Sequence, residues 1–358
     1  MLGYIEVMQQ VIQTWLDGLA DEGEMELNAE MVHVTQQVAG QSFLGKDFHE
    51  KVGEEFWAHY ETLGKALDPL LPPNLPLPKF IKRDIAKKEM RAILNPIIAE
   101  RRKNVGKGVY NDFLQDFVEK KMADGTLLDD DTVLGMIIAI MFAGHETTAG
   151  QAAWSVIQLL QHPDYLELLQ EEIDSKLPHN TVINFETLAS LEHVLWAVEE
   201  TARMKPSADV LFRVVKEEIE IGGYTIPKKW VVVVSADVAH NLPELFENPE
   251  KYEPLRFGPE RNEKKQHRYA LIGFGGGTHK CAGINFAYNE MIMVTALLFQ
   301  QFELELLTKK PFVDRGLGAS KPSVTHIRYK RKPIKTVIDE EIIKQTLAVG
   351  CPHLAKQQ

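Results

Sequence analysis

The chain has 358 residues, 44% hydrophobic and 25% charged, with a formal net charge of -11 at pH 7. That composition is globular, ample for a sizeable core in one large domain or two smaller ones, and the acidic balance argues against a general nucleic-acid binder. The two cysteines, Cys281 and Cys351, are widely spaced and make no disulfide framework, so a reducing compartment is expected. The start, Met1-Leu2-Gly3-Tyr4-Ile5-Glu6, has neither the basic opening nor the apolar core of a signal peptide. No uninterrupted apolar run reaches the roughly 18 residues of a membrane span; the best candidate, residues 133–143, is broken by His145 and Glu146. A cytoplasmic chain is the expectation.

Residues 4–19 predict an amphipathic helix with Ile5, Met8, Val11, Ile12 and Trp15 on one face. Asp21-Glu22-Gly23 breaks it, and helices are predicted over 28–43, ending at Gly45, and over 49–67. Repeated proline over 68–78 excludes helix. A helix over 83–103 follows, basic on its outer face through Lys87, Lys88, Arg91, Arg101, Arg102 and Lys103. Such a face is more often solvated than bound to a membrane or an acidic partner.

After a helix over 111–122, Asp129-Asp130-Asp131-Thr132 opens the longest helical pattern, running to about residue 160. Aspartates in a first turn complement the helix dipole, and the helix would span about 40 Å. Being apolar nearly all round, it is predicted to be buried. Yet its middle reads Ala143-Gly144-His145-Glu146-Thr147-Thr148, and a buried carboxylate and hydroxyls demand partners. The segment begins the His-Glu-x-x-His zinc motif, but Ala149 stands where the second ligand is needed. Two readings stay open: hydroxyls bonding back to helix carbonyls at a kink, or an acid–alcohol pair beside a bound oxygen species.

Helices continue over 163–176 and 185–204, the second carrying Glu200-Thr201-Ala202-Arg203. Glu and Arg at this spacing share a helix face and commonly form a surface pair of small value. Then the texture changes. Residues 210–215, 219–226 around Gly222-Gly223, and 230–235 read as short strands. Arg213 lies in the first, by itself no more than a charge at a strand end. A basic loop, 261–268, leads to Phe274-Gly275-Gly276-Gly277-Thr278-His279-Lys280-Cys281-Ala282-Gly283. An apolar run over 284–299, strands over 303–307 and 326–332, and a tail with one short helix over 339–348 complete the chain.

The glycine-rich stretch carries the chemistry. Glycines let a backbone turn sharply and approach a flat ligand closely, and a helix starting just after Cys281 would favour the thiolate. A Walker loop needs Ser or Thr after Lys280, where Cys281 stands, and a dinucleotide fingerprint needs a final glycine where Thr278 stands. One Cys and one His fall short of a structural zinc site. A lone thiolate beside His279 suits axial ligation of one metal; a small buried core cysteine is the rival reading.

Phe274, Gly277, His279, Cys281 and Gly283 match the pattern Phe-x-x-Gly-x-Arg/His-x-Cys-x-Gly. On these residues the chain resembles cytochrome P450, the haem-thiolate monooxygenases. Residues 143–148 match the family's Ala/Gly-Gly-x-Asp/Glu-Thr-Thr/Ser segment. Glu200 and Arg203, with Arg256 in Tyr252-Glu253-Pro254-Leu255-Arg256-Phe257, resemble the Glu–Arg–Arg cluster that locks the cysteine loop, with Glu253 a competitor for either arginine. Arg213 resembles the arginine that meets a haem propionate.

The resemblance implies a mainly α fold with small β-sheets: a cytochrome P450 fold lacking its N-terminal sheet and first helices. It implies one catalytic domain over 1–332 with a tail, 333–358. The implied cofactor is haem b (iron protoporphyrin IX), with Cys281 as axial ligand of the iron and Phe274 shielding the sulfur. Glu146 and Thr147 would deliver protons, His279 and Arg213 would neutralise propionates, and Glu200, Arg203 and Arg256 would be architectural. The implied reaction inserts one O2-derived oxygen into an apolar substrate that is sterol, terpenoid or fatty-acid-like. Electrons would come from NAD(P)H through a ferredoxin or flavodoxin/reductase donor docking beside the 261–268 loop. The texture is most similar to sterol 14-alpha demethylases, although these usually carry His where Glu146 stands. Family members have a part preceding the segment that matches Tyr4, so haem would be exposed along one edge. The alternative is a non-catalytic fragment of the fold that binds haem weakly or not at all.

Overall fold

The computed structural model describes residues 3–66, 68, 71, 72, 74–315 and 319–333. Cys351 and the helix predicted over 339–348 lie outside them. Helix α1 (Gly3–Gly18) buries Ile5, Met8, Val11, Ile12 and Leu16. Trp15, expected on that face, lies at its edge and donates Nε1–H to Glu30 at 2.9 Å. The acidic segment read as a helix breaker is also a strand, β1 (Glu22–Glu26). It pairs antiparallel with the last strand, β9 (His326–Arg331), which also pairs β6 (Phe302–Leu306). Opposite charges meet across this sheet, Arg328 lying 2.8 Å from Glu24 and 2.7 Å from Glu305.

Helices α2 (Leu27–Leu44), α3 (Lys46–Lys65) and α4 (Pro78–Lys103) follow, then α5 (Phe113–Glu119). Helix α4 starts at Pro78, inside the stretch expected to exclude helix, because proline at a first helical position has no N–H to lose. Its basic face is only partly solvated. Arg101 is buried 2.7 Å from Asp112, Arg102 donates to Asp130 at 2.9 Å, and Arg91 lies 3.2 Å from Asp131. These cations tie α4 to its neighbours.

Helix α6 (Asp130–Gln161) threads both large cores. Asp129 caps it, accepting from the Thr132 N–H at 2.8 Å. Its first half packs Val133, Leu134, Ile137 and Met141 with Phe56, Tyr60, Met90 and Leu94. Its second half, from Thr148 to Leu159, is buried throughout. By length and composition α6 could cross a bilayer, yet 44% of its most apolar 18-residue window is buried inside the protein. The expectation of burial fails for one stripe of the first half: Gly135, Ala139, Ala143 and Glu146 are exposed.

Helix α7 (Pro163–Lys176) matches its predicted bounds. The helix expected over 185–204 is two, α8 (Phe185–Ser190) and α9 (Glu192–Met204). The buried Glu172 of α7 accepts from the His193 N–H at 2.9 Å and the Val194 N–H at 3.2 Å, so a neighbouring helix supplies the start of α9. Strand β2 (Val210–Val214) pairs with β5 (Val231–Ser235). Between them β3 (Ile219–Ile221) and β4 (Tyr224–Ile226) form a hairpin turned by Gly222 and Gly223 at φ 59 and 82. After α10 (Ala236–Ala239) comes a 254–283 coil that holds three short 3-10 turns. Helix α11 (Ile284–Gln301) then buries Met291 to Phe299 against α6 and α9. Two short strands, β7 (Val313–Asp314) and β8 (Lys321–Pro322), precede β9.

Candidate active site

The cysteine loop is a tight reversal closed by its own backbone. The Cys281 N–H donates to the Phe274 carbonyl at 2.8 Å, while Gly275 and Gly277 have φ of 73 and 62. A Cβ on Gly275 would lie 2.6 Å from the His279 carbonyl oxygen, so only glycine closes this turn. Cys281 is a free and exposed thiol, which rules out the core-cysteine reading. Helix α11 begins not directly after it but at Ile284, with Gly283 as N-cap. Phe274 packs on Tyr288, ring centroids 5.2 Å apart.

Aromatic rings also pack between the start of α11 and the middle of α6. Phe286 packs at 5.1 Å on Phe43 with the rings tilted by 42°, and the Phe43 ring edge lies 3.6 Å from where a Gly144 Cβ would be. There Thr147 Oγ1 donates to the Ala143 carbonyl at 2.8 Å and Thr148 Oγ1 to the Gly144 carbonyl at 2.7 Å. The back-bonding reading therefore holds for both hydroxyls, and it leaves Thr147 half-buried beside the open stripe. Glu146 is exposed and has no hydrogen-bond or ion-pair partner among the described residues. His145 turns the other way. It is 2% exposed, and its Nδ1–H donates to the Met141 carbonyl at 3.1 Å, with the Tyr60 hydroxyl 3.2 Å away. Burial holds the imidazole neutral, its pKa below the ordinary histidine value.

Behind the loop lies a buried charge cluster. Glu200 receives Arg203 Nε at 2.7 Å and Arg256 Nε at 3.0 Å, with all three side chains at 0% exposure. The usual surface reading of this Glu–Arg spacing is therefore wrong here. Arg203 also donates to the carbonyls of His240 and Pro249, each at 2.8 Å. Glu253 does not displace Glu200: its carboxylate lies 3.5 Å from Arg256 and 2.8 Å from Arg261, 40% exposed.

Two members of the cluster went unread in the sequence. Glu263 accepts from Arg256 at 2.7 Å. His240 Nδ1–H donates to the Arg203 carbonyl at 3.0 Å while Nε2 accepts from the Ile272 N–H at 2.9 Å, tying α9 to the root of the cysteine loop. Burial pushes the pKa of His240 down to about 4. Neither residue has a local motif to announce it.

Arg213, half-buried on β2, donates to its neighbour's carbonyl, Phe212 O, at 2.8 Å. Neither it nor the exposed His279 has a carboxylate partner among the described residues, whereas Arg101, Arg203, Arg256 and Arg328 all do.

The sequence model of the cytochrome P450 family matches residues 1–327. The chain belongs to the cytochrome P450 family. Among curated relatives it is similar to the sterol 14alpha-demethylase of Mycolicibacterium vanbaalenii, 29% identical over 310 residues, covering 86% of this chain and 69% of that one. It is similar also to the sterol 14-demethylase of Arabidopsis thaliana, 29% identical over 342 residues, covering 93% and 70%. Among solved structures it resembles retinoic acid-bound cyanobacterial CYP120A1, with a TM-score of 0.82 and 25% identity over 93% of this chain and 76% of that one. The mainly helical fold with small antiparallel sheets is thus the P450 fold, and the family is one of haem-dependent monooxygenases.

Cytochrome P450s carry haem, and the residues present fit that group. The donor set is one exposed thiol at the mouth of a glycine reversal, suited to a single soft axial bond. The stripe on α6 presents Gly135, Ala139 and Ala143, whose small side chains leave room for a flat apolar face. Arg213 and the His279 imidazole, neither with a carboxylate partner among the described residues, are available to a group that brings its own carboxylates.

Proposed function

We propose that this P450 is a monooxygenase in which Cys281 is the proximal haem ligand and Glu146 with Thr147 forms the distal proton-handling pair. The observation that carries the reading is the free, exposed Cys281 thiol on a reversal that only glycine can make. When bound, haem with a thiolate ligand supplies O2 activation, favouring O–O cleavage. The protein's own groups do the rest. Gly275 and Gly277 allow the tight reversal that presents Cys281, and Phe274 would limit water at the sulfur. Arg213 and His279 would hold the carboxylates of the haem when it is bound. Glu146, exposed and unpaired, takes a proton from solvent. The Thr147 hydroxyl, held by the Ala143 carbonyl, presents it on the same side of the helix.

The substrate class we infer is a sterol or similar rigid apolar molecule, supported by the names of the curated relatives and by the small apolar residues lining α6. Electrons come from NAD(P)H through a separate ferredoxin or flavodoxin/reductase donor. Its docking face is narrower than the basic loop suggests. Arg261 is engaged by Glu253 and Glu263, and Lys264 lies 2.6 Å from Glu199, leaving Lys265, Arg268 and Lys280 as the exposed cations.

A carbon monoxide difference spectrum of the reduced, haem-reconstituted chain tests the reading. The expected result is a long-wavelength Soret band that disappears in Cys281→Ala. Failure to take up haem would support the alternative, a non-catalytic fragment of the fold. A panel of sterols and fatty acids, scored by the Soret shift on displacing iron-bound water, then tests the substrate class; a response to fatty acids alone overturns the sterol assignment.

A further inference from the structure

Just beyond Thr147, helix α6 loses its open stripe and is gripped by the segment that runs from α9 to β2. Three residues one helical face apart make the grip. The Thr147 carbonyl accepts from Ser207 Oγ at 3.0 Å. Gln151 Nε2 donates to the Lys205 carbonyl and to Ser207 Oγ, the latter at 3.1 Å. Trp154 lies under Lys205, whose Nζ is 5.2 Å from the ring. A third segment locks the junction, the Ser320 N–H donating to the Ser207 carbonyl at 2.9 Å. It comes this close because Gly150 has no side chain: a Cβ there would lie 3.3 Å from the Ser320 carbonyl oxygen.

The direction of each bond is determined. A carbonyl can only accept, so Lys205 requires the Gln151 NH2 group and Thr147 requires the Ser207 proton. Ser207 Oγ is left with a lone pair for the second Gln151 hydrogen. The result is a one-way relay, Gln151 N–H to Ser207 O–H to Thr147 C=O, in which each bond polarises the next. The Thr147 carbonyl thus has an outside donor besides its place in the helical ladder, which ties this turn to the segment between α9 and β2.

We propose that Ser207, oriented by Gln151, is a positioning residue for the turn that carries Glu146 and Thr147. This rests on the acid–alcohol reading of that turn. Ser207 acts through the Thr147 carbonyl; it sets where the Thr147 hydroxyl stands when a proton must pass. The same loop continues into β2 and Arg213, so one short segment registers the proton-handling turn against the proposed propionate arginine.

The test compares Ser207→Ala, Ser207→Thr, Gln151→Leu and Thr147→Ala in the haem-loaded full chain. It reads amide hydrogen exchange at residues 147–151 and the peroxide released per NADPH oxidised. In Ser207→Ala, exchange is expected to quicken roughly fivefold, the worth of one hydrogen bond, and the peroxide share to rise while the carbon monoxide band is unchanged. Ser207→Thr, which keeps the hydroxyl, restores both. If Ser207→Ala does not retain haem, Gln151→Leu carries the test, with the same two readouts moving in the same direction.

Unchanged coupling in Ser207→Ala, in a protein that Thr147→Ala does uncouple, overturns the proposal whether or not exchange quickens. If Thr147→Ala itself leaves coupling unchanged, the acid–alcohol reading fails first and the role of Ser207 falls with it.

Discussion

The chain holds two charged constellations built on opposite plans. Around Glu200, the arginines 203 and 256 are fully buried, and their guanidinium nitrogens bond to carboxylates and backbone carbonyls. Glu146 and His279 are exposed and Arg213 half-buried, and none of them meets an opposite charge among the described residues. A charge removed from water must be compensated inside the protein, and the first set is compensated by its own neighbours. A charge left wet and unpaired costs the fold little and remains available to a ligand. The difference in pairing, more than residue type, separates scaffold from site in this P450.

The comparison breaks most visibly at Arg256. Arg256→Leu takes one of two arginines from each of the Glu200 and Glu263 carboxylates, leaving Arg203 and Arg261, and is expected to cost about 3–5 kcal/mol by urea unfolding. Cys281→Ala, by contrast, is expected to leave unfolding within about 0.5 kcal/mol while abolishing the thiolate spectrum.

Acid probes the same cluster through His240. Its imidazole is held neutral by burial, with a folded pKa of about 4 against an ordinary 6.5. The unfolded chain therefore takes up a proton that the folded chain refuses. The stabilisation is complete above about pH 6.5 and is lost as pH falls toward 4. The loss is of order 3 kcal/mol. Unfolding midpoints should fall as pH drops through this range, and His240→Gln, which keeps one donor and one acceptor, should flatten that dependence; an unaltered pH dependence would refute it.

The smallest effect on stability belongs to the open set. Arg213→Ala is expected to shift unfolding by less than about 0.5 kcal/mol yet to quicken haem loss to apomyoglobin. Equal haem retention would remove Arg213 from the propionate assignment.

Much of the candidate site was legible because its motifs are contiguous. Glycines at the reversals, a cysteine at the loop mouth and the Glu146-Thr147-Thr148 run need only their neighbours to be recognised. Partners supplied by distant chain were not. Glu263 reaches Arg256 from an irregular turn, His240 bridges two segments, and Ser207 is one serine in a loop. Strand β1 is the fold's counterpart: Glu-Gly-Glu-Met-Glu has no strand pattern and becomes a strand only when β9 brings Arg328 beside it.

Local period and local backbone chemistry were sufficient to determine α1, α7, the hairpin at Gly222-Gly223 and the reversal before Cys281, since the forces that form them act within a few residues. Tertiary contact alone decided that 185–204 would break where Glu172 caps α9, that Arg101 would be buried, and that one stripe of α6 would stay open. Those outcomes depend on which distant groups arrive to satisfy a buried charge or cover an apolar face, and desolvation is settled only when the whole chain has packed.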